Sequence, residues 1–203
     1  MLTVIFATLS YIMTARTHDL AAFTLLAVVV IVQPERTVTL ATAVAAVLAN
    51  QIGGITPDID QPTAPLWRNL PIARVFGRFA GKMMGGHRHI THSIIGVLLF
   101  GFVSRWFLLF IHPLVPKMDV ELVWWAYIIG IISHLIMDMF TKEGVPILLP
   151  IPIKFGIPPI KKLRITTGKP MESVWFIGLV AFNIVLFATS YQEVLHILHN
   201  RFV

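Results

Sequence analysis

Four short groups of histidine and aspartate residues, whose side chains commonly bind divalent metal ions, stand out along the 203-residue chain. The groups are His18; Asp58 and Asp60 in Thr-Pro-Asp-Ile-Asp; His87, His89 and His92 in Gly-Gly-His-Arg-His-Ile-Thr-His-Ser; and His134 with Asp138. Nitrogen and carboxylate ligands without sulfur suit Zn, Mn, Fe or Ni and do not choose among them. Because the chain has no cysteine, thiolate catalysis, disulfides and cysteine-ligated zinc are excluded.

The pair His134 and Asp138 carries the strongest signal, because it lies inside an apolar segment. A spacing of i, i+4 places both side chains on one face of a helix, where they can hold one ion. Burying an aspartate in a membrane span costs roughly 2.5–3.5 kcal/mol, so such a residue needs a partner. A structural ion pair between the two residues is the alternative interpretation.

The other groups are less specific when each is taken alone. Asp58 and Asp60 follow Pro57, where a turn can bring both carboxylates to one ion, or Asp58 can simply cap the turn. A third helix starting near Thr91 would place His92 in its first turn, and the free amides there could hold a phosphate. His18 could instead anchor a helix end at the membrane interface. Arg88 and His89 fit a solvated loop better than a ligand set.

The composition requires a membrane environment for the elements that position these residues. Apolar residues make up 56% of the chain and charged residues 13%, about half of the ~25% usual in soluble domains. We therefore predict an all-α, polytopic transmembrane helical bundle of about five spans. The predicted spans are Leu20–Ile31 (extending to Pro34), Val38–Ile52, Ser93–Ile111, Leu122–Phe140 and Ser173–Tyr191.

The N-terminal segment is interpreted separately from these spans. Residues 1–12 form an apolar extension without a charged leader region or a small-residue cleavage site, so a secretory signal is not expected. They are either extra helical turns or the result of a start site upstream of the true one at Met13. Residues 13–203 are predicted to form a single integral-membrane domain.

Basic residues set the predicted orientation. The first basic loop runs from Gly53 to His92 and the second basic loop from Thr141 to Glu172, and the net charge of the chain is +6. With five spans, Arg16 and these two loops place twelve of the sixteen Lys and Arg residues on one side and three on the other. The positive-inside rule assigns the basic side to the cytoplasm. All the candidate ligands lie near that face.

The motifs, in this order, resemble the YdjM-like family of bacterial inner-membrane proteins, commonly labelled membrane-bound metal-dependent hydrolases. The resemblance rests on Pro-Asp-Ile-Asp at 57–60, His-x4-His-Ser at 87–93, Ser-His-x3-Asp-x2-Thr at 133–141 and Glu-Gly-Val-Pro-Ile-Leu-Leu-Pro at 143–150. It covers nearly the whole chain from Met13. His89 stands where relatives often have Gly, so it is left out of the predicted site.

The resemblance implies a remote similarity to zinc-dependent phospholipase C and P1-type nucleases, and hence phosphoester hydrolysis; for some relatives it also implies induction by DNA damage. The expected cofactor is a divalent ion, with zinc the leading candidate and Mn, Fe or Ni left open. The predicted metal ligands are His18, Asp58, Asp60, His87, His92, His134 and Asp138.

The roles predicted for the catalytic residues follow from this chemistry. A water activated by the metal would attack phosphorus, Asp58 or Asp60 would take the proton, and Arg88 or a lysine of the second basic loop would stabilise the phosphate charge. The expected partners are the lipid bilayer and an anionic phosphoester or phospholipid at the cytoplasmic leaflet, with no nucleic acid. Two alternatives stay open: a non-enzymatic membrane protein with a structural metal, and a small metal or proton transporter.

Overall fold

The structure is a computed structural model that describes residues 2–32, 38–61, 88–151, 153–167 and 169–192, with side chains from Arg16 onward. Within these ranges the chain is helical, which confirms the predicted all-α class. The α-helices are α1 (Leu2–Val32), α2 (Leu40–Ile55), α3 (Ile94–Ile111), α4 (Val120–Met139) and α5 (Pro170–Thr189). Short 3₁₀ turns cover Thr56–Asp60, Ile90–His92, His112–Leu114 and Lys161–Leu163.

Within the part of the chain that the structure describes, four helical segments are long and apolar enough to cross a membrane: Leu40–Asp60, Ile94–Leu114, Val120–Met139 and Pro170–Thr189. The predicted first span lies inside α1, which begins at Leu2 instead of near Leu20. This 31-residue helix contains neither Pro nor Gly, so nothing in its sequence interrupts it at Met13. The assignment of residues 1–12 as a separate extension stays a prediction.

Consecutive helices run in alternating directions, and the middle of α1 lies level with the end of α2, the start of α3, the end of α4 and the start of α5. At one end, the carbonyl of Gly54 in α2 meets His134 in α4, and Thr17 of α1 meets Glu172 of α5. At the other end, the backbone N–H of Asp119 donates to the hydroxyl of Thr42 across 3.0 Å. The candidate ligands among the described residues belong to the first of these ends.

The crossing of α2 and α4 is the closest helix contact near the site. A Cβ atom on Gly53 would lie 2.1 Å from the Tyr127 carbonyl oxygen, and one on Gly130 would lie 2.1 Å from the Asn50 carbonyl oxygen. Small residues allow two backbones to approach in this way. The Asn50 amide also donates to the Ala126 carbonyl at 3.1 Å. This crossing fixes the end of α2 against the part of α4 that carries the site.

The start of α3 differs from the prediction. Ser93 caps the helix, because its side chain accepts a hydrogen bond from the Gly96 N–H. The α-helix therefore begins at Ile94, and His92 lies in the 3₁₀ turn before it instead of in its first turn. A side chain on Gly96 would collide with the Ile90 carbonyl, so this turn packs directly on the helix.

The second basic loop is a folded surface segment. Isolated bridges pair Thr141 with Ile165 and Val145 with Phe155. The guanidinium of Arg164 donates to the carbonyls of Pro158 and Pro159 at 2.7 and 3.0 Å. Most of the first basic loop, including Arg68, Arg74, Arg78, Lys82 and His87, lies outside the described residues.

Candidate metal centre

Five of the predicted ligands converge at one end of the bundle: His18, Asp58, His92, His134 and Asp138. Their ligand atoms form two overlapping groups, in each of which all atoms lie within 4.8 Å of one another. One group contains His18, His134 and Asp138, and the other contains Asp58, His92 and His134. The ligands come from α1, from the turn after α2, from the turn before α3 and from α4.

His134 belongs to both groups and is buried. Its Nδ1 lies 2.6 Å from the carbonyl oxygen of Gly54, which can only accept, so Nδ1 carries the proton. When the ring is neutral, the lone pair of Nε2 points into the cluster, 3.7 Å from oxygens of both Asp58 and Asp138. Among the described residues this Nε2 has no hydrogen-bond donor. Three acceptor atoms therefore face one another, an arrangement that a cation would satisfy.

His92 is held by a short chain of hydrogen bonds behind the cluster. The hydroxyl of Thr91 donates a hydrogen bond to Asp60 Oδ2 at 2.6 Å. The same hydroxyl can therefore accept a hydrogen bond from His92 Nδ1, which lies 2.8 Å away. This leaves His92 Nε2 directed at the cluster, 3.3 Å from Asp138 Oδ2. Burial lowers the pKa of His92 below its ordinary value, which favours the neutral form that binds metal.

Asp60 therefore occupies a different place from the one predicted for a ligand. Its carboxylate lies 3.8 Å from the Nδ1 of His92, on the side of the ring away from the cluster, and it belongs to neither ligand group. A carboxylate behind a ligating histidine fixes the ring and raises the basicity of its other nitrogen. The turn at Thr56–Asp60 separates the two aspartates, so that Asp58 alone of the pair joins the ligand groups.

Asp138 connects the histidines with Arg88. Its Oδ1 lies 2.8 Å from a terminal nitrogen of Arg88 and 3.6 Å from His18 Nε2, whereas Oδ2 faces His92 and His134. The rings of His18 and His134 stack at a centroid distance of 4.2 Å. A buried carboxylate in this position balances the guanidinium and offers its second oxygen to the cluster.

Arg88 is more buried than the sequence suggested. Its side chain is only 10% exposed, and it donates to Thr141 at 2.8 Å and lies 3.4 Å from the exposed carboxylate of Glu143. The backbone is left-handed at this residue, with φ +57°, an uncommon conformation for a non-glycine residue. The expected solvated loop therefore holds for His89, which is exposed, and does not hold for Arg88.

A small cavity with both polar and apolar walls adjoins the cluster on the side of α5. Its volume is about 40 Å³, room for roughly two or three water molecules. It is lined by Arg88 and Asp138 together with Thr17, Thr141, Glu172 and Trp175. Glu172, which is buried and lies 3.5 Å from the Thr17 hydroxyl, was missed by the sequence reasoning. The available signal was a carboxylate in the first turn of an apolar span at the same end as the ligands.

The donor set fits a divalent ion. Ligand atoms that share one tetrahedral zinc ion at ~2.0–2.1 Å lie about 3.3 Å apart, and the contacts of His92 with Asp138 and Asp58 are 3.3 and 3.7 Å. Three imidazoles and two carboxylates are also compatible with Mn, Fe or Ni. His87, the remaining predicted ligand, lies outside the described residues.

Comparison with known proteins places this arrangement in a family. Over 128 residues the chain is 27% identical to the uncharacterized protein YvsG of Bacillus subtilis (strain 168), covering 63% of this chain and 69% of that protein. Over 115 residues it is 33% identical to the inner membrane protein YdjM of Escherichia coli (strain K12) and to that of Shigella flexneri. These matches cover 51% of this chain and about half, 48%, of each YdjM protein. No solved structure gives a significant match.

The family-level match is more extensive than these pairwise ones. The sequence profile described as YdjM inner membrane protein matches residues 13–195, which include every residue of the cluster. Together with the four helices that can cross a membrane, this supports a multi-pass location in the inner membrane. The chain therefore belongs to the YdjM inner membrane protein family.

Proposed function

We propose that this chain is a membrane-bound metal-dependent hydrolase that cleaves a phosphoester, with a phospholipid as the leading substrate candidate. The observation that carries the proposal is the geometry around His134 Nε2. This buried nitrogen faces two carboxylate oxygens at 3.7 Å, and it has no hydrogen-bond partner among the described residues. Zinc, Mn, Fe and Ni all match such nitrogen and oxygen ligands.

The residues that would hold the ion are His18, Asp58, His92, His134 and Asp138. When bound, a divalent ion supplies a Lewis acid that polarises a phosphoryl oxygen and lowers the pKa of a nearby water molecule. Asp60 and Thr91 hold the His92 ring in place. Arg88 neutralises Asp138, and the charge of a divalent ion would offset the carboxylates of Asp58 and Asp60, so a bound phosphate would meet little net negative charge once the ion is held.

Asp58 is the residue best placed to accept a proton from an attacking water molecule. Its side chain is 30% exposed, whereas those of Asp138 and Asp60 are buried and already engaged by Arg88 and Thr91. A proton acceptor must reach both the site and solvent, and among these three carboxylates Asp58 does so. Arg88 would stabilise the developing phosphate charge only through the edge of its guanidinium that does not face Asp138.

The site's position at the end of the bundle supports a hydrolase over a transporter. A relay for ions or protons requires ligands near the bilayer midplane, but His134 and Asp138 lie in the last two turns of α4, and Asp58 and His92 lie outside the α-helices. We place this end of the bundle in the cytoplasm, because the second basic loop and Arg88 lie there.

The proposal is tested by a phosphoester screen on purified protein in lipid nanodiscs. Chelator-stripped protein is assayed with and without added zinc, manganese, iron or nickel, against phospholipids and soluble phosphodiesters and monoesters. We expect metal-dependent hydrolysis that is lost in Asp58→Asn, while this variant retains its helical circular dichroism. Metal binding without hydrolysis of any phosphoester would favour a structural metal, the non-enzymatic alternative.

A further inference from the structure

The outer part of the second basic loop, residues 146–163, combines exposed apolar side chains with lysines. Six large aliphatic residues point away from the protein: Leu148, Ile151, Ile153, Ile157, Ile160 and Leu163. Leu163 is 68% exposed and Ile160 61%. Lys154, Lys161 and Lys162 lie exposed among them. A surface of this kind in contact with water would be unfavourable, because removing apolar area from water lowers the free energy.

The base of this segment is attached to the ends of two membrane-crossing helices. The Ile157 N–H donates to the Met139 carbonyl at the end of α4, at 2.8 Å. The Ile94 N–H at the start of α3 donates to the Ile147 carbonyl, at 3.0 Å. A third hydrogen bond, two residues after the segment, joins the Ile165 N–H to the Phe140 carbonyl at 3.0 Å. Helix ends of this kind lie near the boundary between hydrocarbon and headgroups. The exposed aliphatic residues are therefore held at the level of the interface.

The internal structure of the segment prevents it from burying its own apolar side chains. Arg164 binds the carbonyls of Pro158 and Pro159, and a Cβ on Gly156 would lie 2.2 Å from its guanidinium. The backbone is thus folded around a polar centre, with the aliphatic residues on the outside. Among the described residues, none covers Ile160 or Leu163 enough to bury it.

We propose that residues 146–163 form an interfacial anchor that inserts into the leaflet on the site's side of the membrane and binds anionic phospholipid headgroups. The aliphatic side chains enter the acyl boundary, and Lys154, Lys161 and Lys162 contact lipid phosphates. Each lysine near an anionic membrane surface adds to this electrostatic attraction. The anchor does not depend on the proposed hydrolase activity, although it would bring anionic lipids next to the metal centre.

The absence of cysteine from the chain makes site-directed spin labelling a direct test. Ile153→Cys and Leu163→Cys are labelled one at a time and reconstituted in phosphatidylcholine nanodiscs with or without phosphatidylglycerol. Collision with oxygen and with a water-soluble nickel chelate then reports depth. The controls are Ile184→Cys, on the exposed face of α5, and Lys117→Cys, in the turn at the other end of the bundle.

We expect both loop labels to collide more with oxygen than with the nickel chelate, as at Ile184 and unlike Lys117. We also expect them to lie deeper when phosphatidylglycerol is present, and a Lys154→Gln/Lys161→Gln/Lys162→Gln background should abolish that difference. Nickel-accessible labels in both membranes would overturn the anchor. Labels shielded from both reagents would also overturn the anchor, because they would show that protein covers the segment. The same conclusion would follow if the depth of the labels did not change when phosphatidylglycerol is added.

Discussion

The Nδ1 atom of His134 lies 2.6 Å from the carbonyl oxygen of Gly54, a residue eighty positions earlier in the chain. This contact exists because α2 and α4 cross closely at Gly53 and Gly130, where no Cβ separates the backbones. It assigns the proton of His134 to Nδ1 and turns Nε2 toward Asp58 and Asp138. Helix packing therefore determines the chemical state of the central ligand.

Two histidines on one short segment provide a matched pair of variants. His92→Ala removes a buried ligand, whereas His89→Ala removes an exposed side chain that belongs to neither ligand group. We expect His92→Ala to weaken zinc binding by at least tenfold and His89→Ala to leave it unchanged, as measured by competition with a fluorescent chelator. Equal affinities in the two variants would count against His92 as a ligand.

The hydrogen-bond chain from Asp60 through Thr91 to His92 predicts that breaking it lowers the affinity for zinc although every metal ligand is still present. Thr91→Val keeps the shape of the side chain but removes the hydroxyl that links the other two. Changes at this distance from a metal typically lower affinity by roughly 10–100-fold. Thr91→Ser, which retains the hydroxyl, should recover most of the affinity. If Thr91→Val binds zinc as the wild type does, the chain does not orient His92.

The close helix crossing predicts a stability effect confined to one of two glycines. Gly130→Ala would place a methyl group 2.1 Å from the Asn50 carbonyl oxygen, whereas a Cβ on Gly178 meets nothing within 4 Å. We expect Gly130→Ala to destabilise the protein by roughly 1–3 kcal/mol. Gly178→Ala should be neutral or stabilising by up to ~1 kcal/mol. The midpoints of thermal unfolding of Gly130→Ala and Gly178→Ala are compared in the same detergent. Similar midpoints would contradict the close packing of α2 against α4.

Metal release should depend on pH in a defined direction. Burial lowers the pKa of His92, so its neutral form persists below the ordinary histidine value of about 6.5. Protonation competes with metal, and binding is therefore retained through neutral pH and lost as the pH falls below that value. Zinc retention measured across a series of buffers checks this. A release midpoint above about 6.5 would show that His92 titrates as an exposed histidine.

The sequence was sufficient for the parts of the site that depend on local spacing. His134 and Asp138 share a helix face by their i, i+4 spacing, and the alternation of apolar spans placed His18, Asp58 and His92 at the same end of the bundle. The four apolar spans from α2 onward were also readable from composition. Helix ends were less predictable: the cap at Ser93 shifted the start of α3 beyond His92.

Directional contacts between distant segments could not be predicted. Nothing in Asp-Ile-Asp indicates that Asp60 turns to Thr91 while Asp58 faces the histidines. The left-handed backbone at Arg88, which brings a basic loop residue onto Asp138, requires a three-dimensional path that spacing does not encode. The same holds for Glu172, whose place beside Thr17 follows from the packing of α5 on α1.

The central claim is that the cluster around His134 holds a divalent ion, and a zinc titration of the chelator-stripped protein by calorimetry tests it most directly. His134 belongs to both ligand groups, so His134→Gln should remove tight binding, while His89→Ala serves as the control. We predict saturable binding of at least one ion per chain in the wild type and in His89→Ala, and none of comparable affinity in His134→Gln. Absence of binding in the wild type, or equal binding in His134→Gln, would contradict the account.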